Sequence, residues 1–101
     1  MAFMTRKESK ISGIAADALG ASRIGVPNFE VAQKLVAESV LVDDDAVRKA
    51  QRALWEQLRV IAEPAGATGL AALMTGAYRR AAGERIATLI CGANTELSTI
   101  A

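Results

Sequence analysis

At 101 residues the chain has room for one domain at most. Its 12 basic and 11 acidic residues are interspersed and leave a net charge of +1, so neither nucleic acid nor an anionic membrane is implied as a partner. Histidine is absent and Cys91 is the single cysteine, which excludes Ser-His-Asp and Cys-His catalysis, the commonest zinc ligand and an internal disulfide.

No apolar run approaches the ~20 residues of a membrane span. Residues 1–10 are polar, of mixed charge and without an apolar h-region, so no secretory signal is read there. The lone thiol suits a reducing compartment, and the expected location is cytoplasmic. Half of the residues are apolar, but alanine and glycine supply much of that content. Such side chains bury little area each, and at roughly 25 cal/mol per Å² the resulting core is marginal. The core is expected to lean on surface from another chain or from a missing segment.

In chain order, residues 1–11 read as a disordered or foreign start. A small-residue stretch follows, from Ser12 through Ile14-Ala15-Ala16-Asp17 to Gly20, and Gly20 and Gly25 break any helix there. Pro27-Asn28 opens a short helix with Phe29, Ala32, Leu35 and Val36 on one face. Val40-Leu41-Val42 is a short β-prone run. Asp43 then caps a second helix over about residues 44–58, with Asp44 and Asp45 in its first turn where the helix dipole favours anions. Val47, Ala50, Leu54 and Leu58 line its apolar face, with Trp55 beside them.

Val60-Ile61-Ala62 is again short and apolar. Glu63-Pro64 starts a third helix, with proline where its missing N–H costs nothing. Its face is very small, Ala65, Gly66, Gly69 and Ala72, and Gly76 ends it. A loop over 79–83 leads into residues 84–91, whose nearly continuous apolar run predicts a strand buried on both faces. Gly92-Ala93-Asn94 turns out of it, and residues 97–101 form a tail. This order predicts an α/β fold: three helices with a few mostly parallel short strands. The strands are too few for a covered sheet, which would keep an open edge.

Four groups of residues invite a chemical reading, each beside a structural one. A strand end carrying Cys91-Gly92-Ala93-Asn94 stands where open α/β sheets bind ligands, and equally reads as a buried structural cysteine. Glu63-Pro64-Ala65-Gly66-Ala67 either aims a carboxylate and backbone N–H groups at a ligand or is ordinary capping with close packing. Asp43, Asp44 and Asp45 point in different directions from a helix start, so capping explains them better than a metal does. Arg79, Arg80 and Arg85 read as a solvated loop rather than a phosphate site.

Taken together, Ile14-Ala15-Ala16-Asp17, residues 40–45, residues 60–69 and residues 89–94 resemble the C-terminal region of pyridoxal-phosphate (PLP) dependent serine/threonine dehydratases, in order and spacing. The resemblance covers about residues 12–96. Threonine synthases share the proline–small-residue helix, but their last strand usually ends in a threonine-glycine pattern that Cys91-Gly92 does not match.

The resemblance implies the C-terminal portion of the large domain of a fold type II PLP enzyme, incomplete as a stand-alone sheet. It implies Cys91 as hydrogen-bond partner of the cofactor's pyridine nitrogen, Gly92 as the residue that lets the loop pass the ring, and Asn94 and Glu63 as neighbouring pocket groups. The reaction implied is deamination of L-threonine or L-serine to a 2-oxoacid and ammonia. In that family the PLP lysine, the glycine-rich phosphate loop and the metal-binding acids precede this region. Lys7, Lys10, Lys34 and Lys49 lack the family's Ser-x-Lys context, so no catalytic residue and no metal ligand is assigned. The chain is expected to be inactive and not to bind PLP alone. The alternative is a non-catalytic module or truncated gene product that docks onto a partner, onto itself or onto the missing N-terminal part.

Overall fold

The computed structural model describes residues 13–14 and 22–100. The foreign start read over 1–11 and most of the small-residue stretch after it lie outside these residues. Among the described residues four α-helices are formed: α1 (Val26–Leu35), α2 (Asp44–Ala53), α3 (Pro64–Thr75) and α4 (Leu97–Ile100).

Local chemistry sets the helix ends. The Asp43 carboxylate accepts the Ala46 N–H at 2.7 Å, satisfying one of the donors that a helix start leaves unpaired. Asp44 accepts the Ile14 N–H at 3.3 Å, and this seats Ile14 against the core. Pro64 opens α3 and Gly76 closes it at φ 75°, a left-handed conformation that glycine adopts without steric penalty.

The second helix does not run unbroken to residue 58. From Leu54 to Leu58 it widens into a π-turn, which Arg59 ends with φ 55°. Arg59 lies over the Trp55 ring at 5.3 Å, and its guanidinium donates to the Trp55 carbonyl. In the wider turn a residue four positions on falls short of a full rotation. Val47, Ala50 and Leu54 are buried as the spacing predicts, whereas Leu58 swings out to 66% exposure.

The core lies between α2 and α3. Ala46, Val47, Ala50 and Leu54 meet Ala62, Ala67 and Ala71. On α3 the buried set is Gly66, Ala67, Ala71 and Ala72, so the expected small face holds at Gly66 and Ala72 but turns toward Ala67 and Ala71. The side of α3 carrying Gly66 and Gly69 lies against Cys91 and Thr88. Helix α4 adds the buried Ile100. Helix α1 has no fully buried residue: of its expected face Phe29 and Ala32 are half-buried and Leu35 is exposed.

The expected strands are not formed among the described residues: 40–42, 60–62 and 84–91 carry no ladder. A parallel strand needs a ladder of slanted N–H and C=O bonds to a neighbour, and no such ladder forms among the described residues. The 84–91 run is not buried on both faces either. Thr88 and Ile90 are half-buried, while Ala87, Leu89 and Cys91 are exposed. Helix α3 lies against the run at Thr88 and at the Cys91 backbone.

The loop ahead of this run is closed by Glu84. Its carboxylate accepts the Tyr78 hydroxyl and the Ala81 N–H. The Tyr78 bond, then the Ala81 bond, holds the Glu84 carboxyl below the usual carboxylate range; the same contact raises Tyr78 above its ordinary 10.0. The depressed Glu84 pKa gives stability that is present above the unfolded value and lost as pH falls through the folded one. The raised Tyr78 pKa gives stability present below 10.0 and lost as pH rises through the higher folded value. Tyr78→Phe is expected to move the Glu84 midpoint upward in a carboxyl-carbon NMR titration. An unmoved midpoint would deny the hydroxyl its part.

Candidate functional site

The start of α3 and residues 91–92 come together. The Glu63 N–H donates to the Gly92 carbonyl oxygen at 3.0 Å, across 29 positions of sequence. The Glu63 side chain covers the face of Gly92 from which a Cβ would project, and an atom placed there would overlap its carboxylate. Gly92 has φ 77°, a left-handed conformation that costs an L-residue roughly 1–2 kcal/mol. One turn into α3, a Cβ on Gly66 would overlap the Cys91 carbonyl oxygen and stand 2.6 Å from its carbon. Two glycines, one on each side, therefore permit this approach of backbone to backbone.

Three of the four residues singled out in the sequence thus share one junction: Glu63, Cys91 and Gly92. Glu63 is half-buried at the cap position of α3 but makes no capping bond with its side chain. Cys91 carries a free, exposed thiol and is not the buried structural cysteine that a strand end allowed. The physical reason is that the segment lies against α3 with its backbone, at Gly66, rather than with its side chain. Asn94 is exposed two residues further on and takes no part in the Glu63–Gly92 bond or the packing at Gly66.

Gly66 belongs to the junction, whereas the sequence marks it only as part of a small helix face. Gln51 escapes the sequence reading altogether. It is buried, and its side-chain amide donates to the Ala62 carbonyl at 2.8 Å, one residue before Glu63. Its signal is a polar residue between Val47 and Leu54 on an otherwise apolar stripe.

An apolar cavity of about 390 Å³, lined among others by Leu54, Leu58, Leu70, Met74 and Ile90, shares no residue with the junction. Among the described residues no group of three or more acids and cysteines is placed to hold a metal ion, and no helix is long and apolar enough to cross a membrane.

A family model described as pyridoxal-phosphate dependent enzyme matches residues 2–92. The chain is similar to phenylserine dehydratase of Ralstonia pickettii, 41% identical over 86 residues, covering 85% of this chain and 26% of that protein. It is 37% identical over 89 residues to the biosynthetic L-threonine dehydratase IlvA of Haemophilus influenzae, covering 87% of this chain and 17% of that protein. It is 34% identical over 92 residues to the catabolic L-threonine dehydratase TdcB of Escherichia coli K12, covering 90% of this chain and 28% of that protein. The chain thus spans little more than a quarter of the length of these relatives at most. No solved structure matches.

Proposed function

We propose that this chain, which belongs to the family of pyridoxal-phosphate dependent enzymes, is the part of an amino-acid dehydratase domain that faces the cofactor's pyridine ring. The family's architecture is PLP fold type II, and its cofactor is pyridoxal 5'-phosphate. The observation that carries the reading is the junction itself. An exposed thiol stands on a turn whose backbone is held on α3 by the Glu63 N–H and by contact at Gly66. A thiol is a weak, neutral hydrogen-bond partner, of the kind that suits a ring nitrogen left unprotonated.

The residues present fit one piece of a cofactor site. Cys91 would meet the ring nitrogen, Gly92 would let the turn pass close to the ring, and Glu63 and Asn94 would stand nearby. Lys34 and Lys49 belong to α1 and α2 and not to the segments that meet at Gly92, and neither is given the role of the cofactor-binding amine. When bound, the cofactor supplies an electron sink for the α-carbon of an amino acid. A neutral partner such as Cys91 weakens that sink. The weakening is tolerable where a β-hydroxyl can leave and accept the charge, so the substrate class is β-hydroxy amino acids, L-threonine or L-serine, and the products a 2-oxoacid and ammonia. A cytoplasmic setting belongs to the same proposal and rests on the single unpaired cysteine.

Alone, the chain is expected neither to retain PLP nor to dehydrate serine or threonine. One neutral hydrogen bond contributes about 1 kcal/mol, while even millimolar binding requires about 4 kcal/mol. The test is cofactor absorbance after dialysis, with 2-oxoacid production measured alongside. A stoichiometric, dialysis-resistant cofactor with turnover would sink the expectation. The positive arm is a chimera in which this chain replaces the matching 86 residues of the Ralstonia phenylserine dehydratase. It is expected to hold PLP and release 2-oxoacid, and Cys91→Ala within it to shift the cofactor's absorption band. A chimera whose band ignores Cys91→Ala would defeat the ring-partner role.

A second reading, a non-catalytic docking module, is favoured by apolar side chains left in solvent. Leu41 is 93% exposed and Leu89 79%. Size-exclusion chromatography with light scattering separates the two: a stable compact monomer counts against an obligate partner or a homo-oligomer.

A further inference from the structure

Gln51 is the only buried polar or charged residue among those described. A side-chain amide in an apolar core costs free energy unless it is bonded, and a hydrocarbon of similar length would fill the same space without that demand. Its partner is the carbonyl of Ala62, itself a fully buried residue, at 2.8 Å. That carbonyl belongs to the same rigid peptide plane as the Glu63 N–H. The Glu63 N–H donates to the Gly92 carbonyl oxygen at 3.0 Å. One end of the plane is therefore held by α2, and the other end holds the turn after Cys91.

We infer that Gln51 is a positioning residue, which fixes the Cys91-Gly92 turn through the peptide joining Ala62 to Glu63. The peptide cannot twist about its own C–N bond, so anchoring its carbonyl orients its N–H. Without the anchor the plane keeps only the Gly92 bond at its other end, because residues 60–62 belong to no ladder that would otherwise hold it. The glycine at 66 gives the turn its space, and Gln51 gives it its register. The functional meaning of this role rests on the reading of Cys91 as a ring partner; the hydrogen-bond relay does not.

The test uses the full chain, isotopically labelled, without cofactor. In wild type a through-hydrogen-bond coupling is expected between the Glu63 amide nitrogen and the Gly92 carbonyl carbon; its absence overturns the relay. In Gln51→Met the coupling is expected to vanish, and the Glu63 amide to exchange on the order of tenfold faster, the scale of one lost buried partner. The control is the Tyr78 amide, which donates to Ala72 at the far end of α3. It should exchange as in wild type, because a residue that merely fills the core would loosen both ends of α3 together. A surviving coupling, or equal acceleration at Tyr78, refutes the inference.

If Gln51→Met does not fold, the wild-type chain decides the matter. In sub-denaturing urea the Gln51 side-chain amide and the Glu63 N–H should open with one common dependence on denaturant, and independent openings refute the relay. Cys91→Ala should leave the coupling intact. A chimera indifferent to Cys91→Ala would thus defeat the cofactor reading without touching these signals, and the two failures are told apart.

Discussion

Gly66→Ala is expected to destabilise the chain by about 2 kcal/mol, although it replaces a glycine with the best helix former. Alanine returns up to ~1 kcal/mol of helix propensity. Against this, its Cβ would overlap the Cys91 carbonyl oxygen and lie 2.6 Å from the carbonyl carbon and 3.0 Å from the amide nitrogen. All three are backbone atoms of a segment held at Gly92, so none can rotate aside. Overpacking typically costs about 1–3 kcal/mol and occasionally more, and contact with fixed backbone belongs at the upper end. In thermal unfolding the loss corresponds to a fall on the order of 10 °C for a domain of this size.

Gly69→Ala is the control on the same helix. Its Cβ would meet the Thr88 hydroxyl, a side-chain tip that can turn away, and the Thr88 Cβ only at 3.7 Å. The propensity gain then roughly offsets the contact, and the melting temperature should stay close to wild type. Equal effects at both positions would show that residues 88–92 adjust freely and that Gly66 holds nothing in place.

The same contrast shows how much of the structure is legible in the sequence. Helix ends are readable because their causes are local: the Asp43 carboxylate reaches three residues ahead, Pro64 tolerates a first turn, and Gly76 accepts positive φ. The π-turn is not, because its signature is a change of pitch, and Leu58 keeps the α-helical spacing that it then fails to use. The run over 84–91 carries the apolar content of a doubly buried strand, but strand formation depends on a paired neighbour, and no ladder forms among the described residues. Glu63, Cys91 and Gly92 stand out by motif order, in stretches far apart in the chain. Their meeting depends on two missing side chains, at Gly66 and Gly92, which a sequence shows only as small residues. Asn94 stands out by the same order and lies outside the junction, since a positive φ at Gly92 redirects the chain beyond it.

Gly92→Ala is the second large effect, expected at about 2–3 kcal/mol, and it has two separable causes. The backbone φ of 77° disfavours any L-residue by roughly 1–2 kcal/mol, whatever surrounds it. The new Cβ would in addition overlap the Glu63 carboxylate and its stem. The Glu63 stem is flexible but its N–H is tied to Gly92, so the side chain can leave only by turning outward. Glu63→Ala removes the overlap and leaves φ untouched. Its own cost should be small, because the carboxylate caps no N–H of α3 and contributes only dipole attraction of about 0.3–1 kcal/mol. A double-mutant cycle by urea unfolding is therefore expected to show coupling: on the Glu63→Ala background Gly92→Ala should cost about 1 kcal/mol less, the remainder being backbone strain alone. Strict additivity would mean that Glu63 moves aside without cost, and that the carboxylate does not confine the turn that carries Cys91.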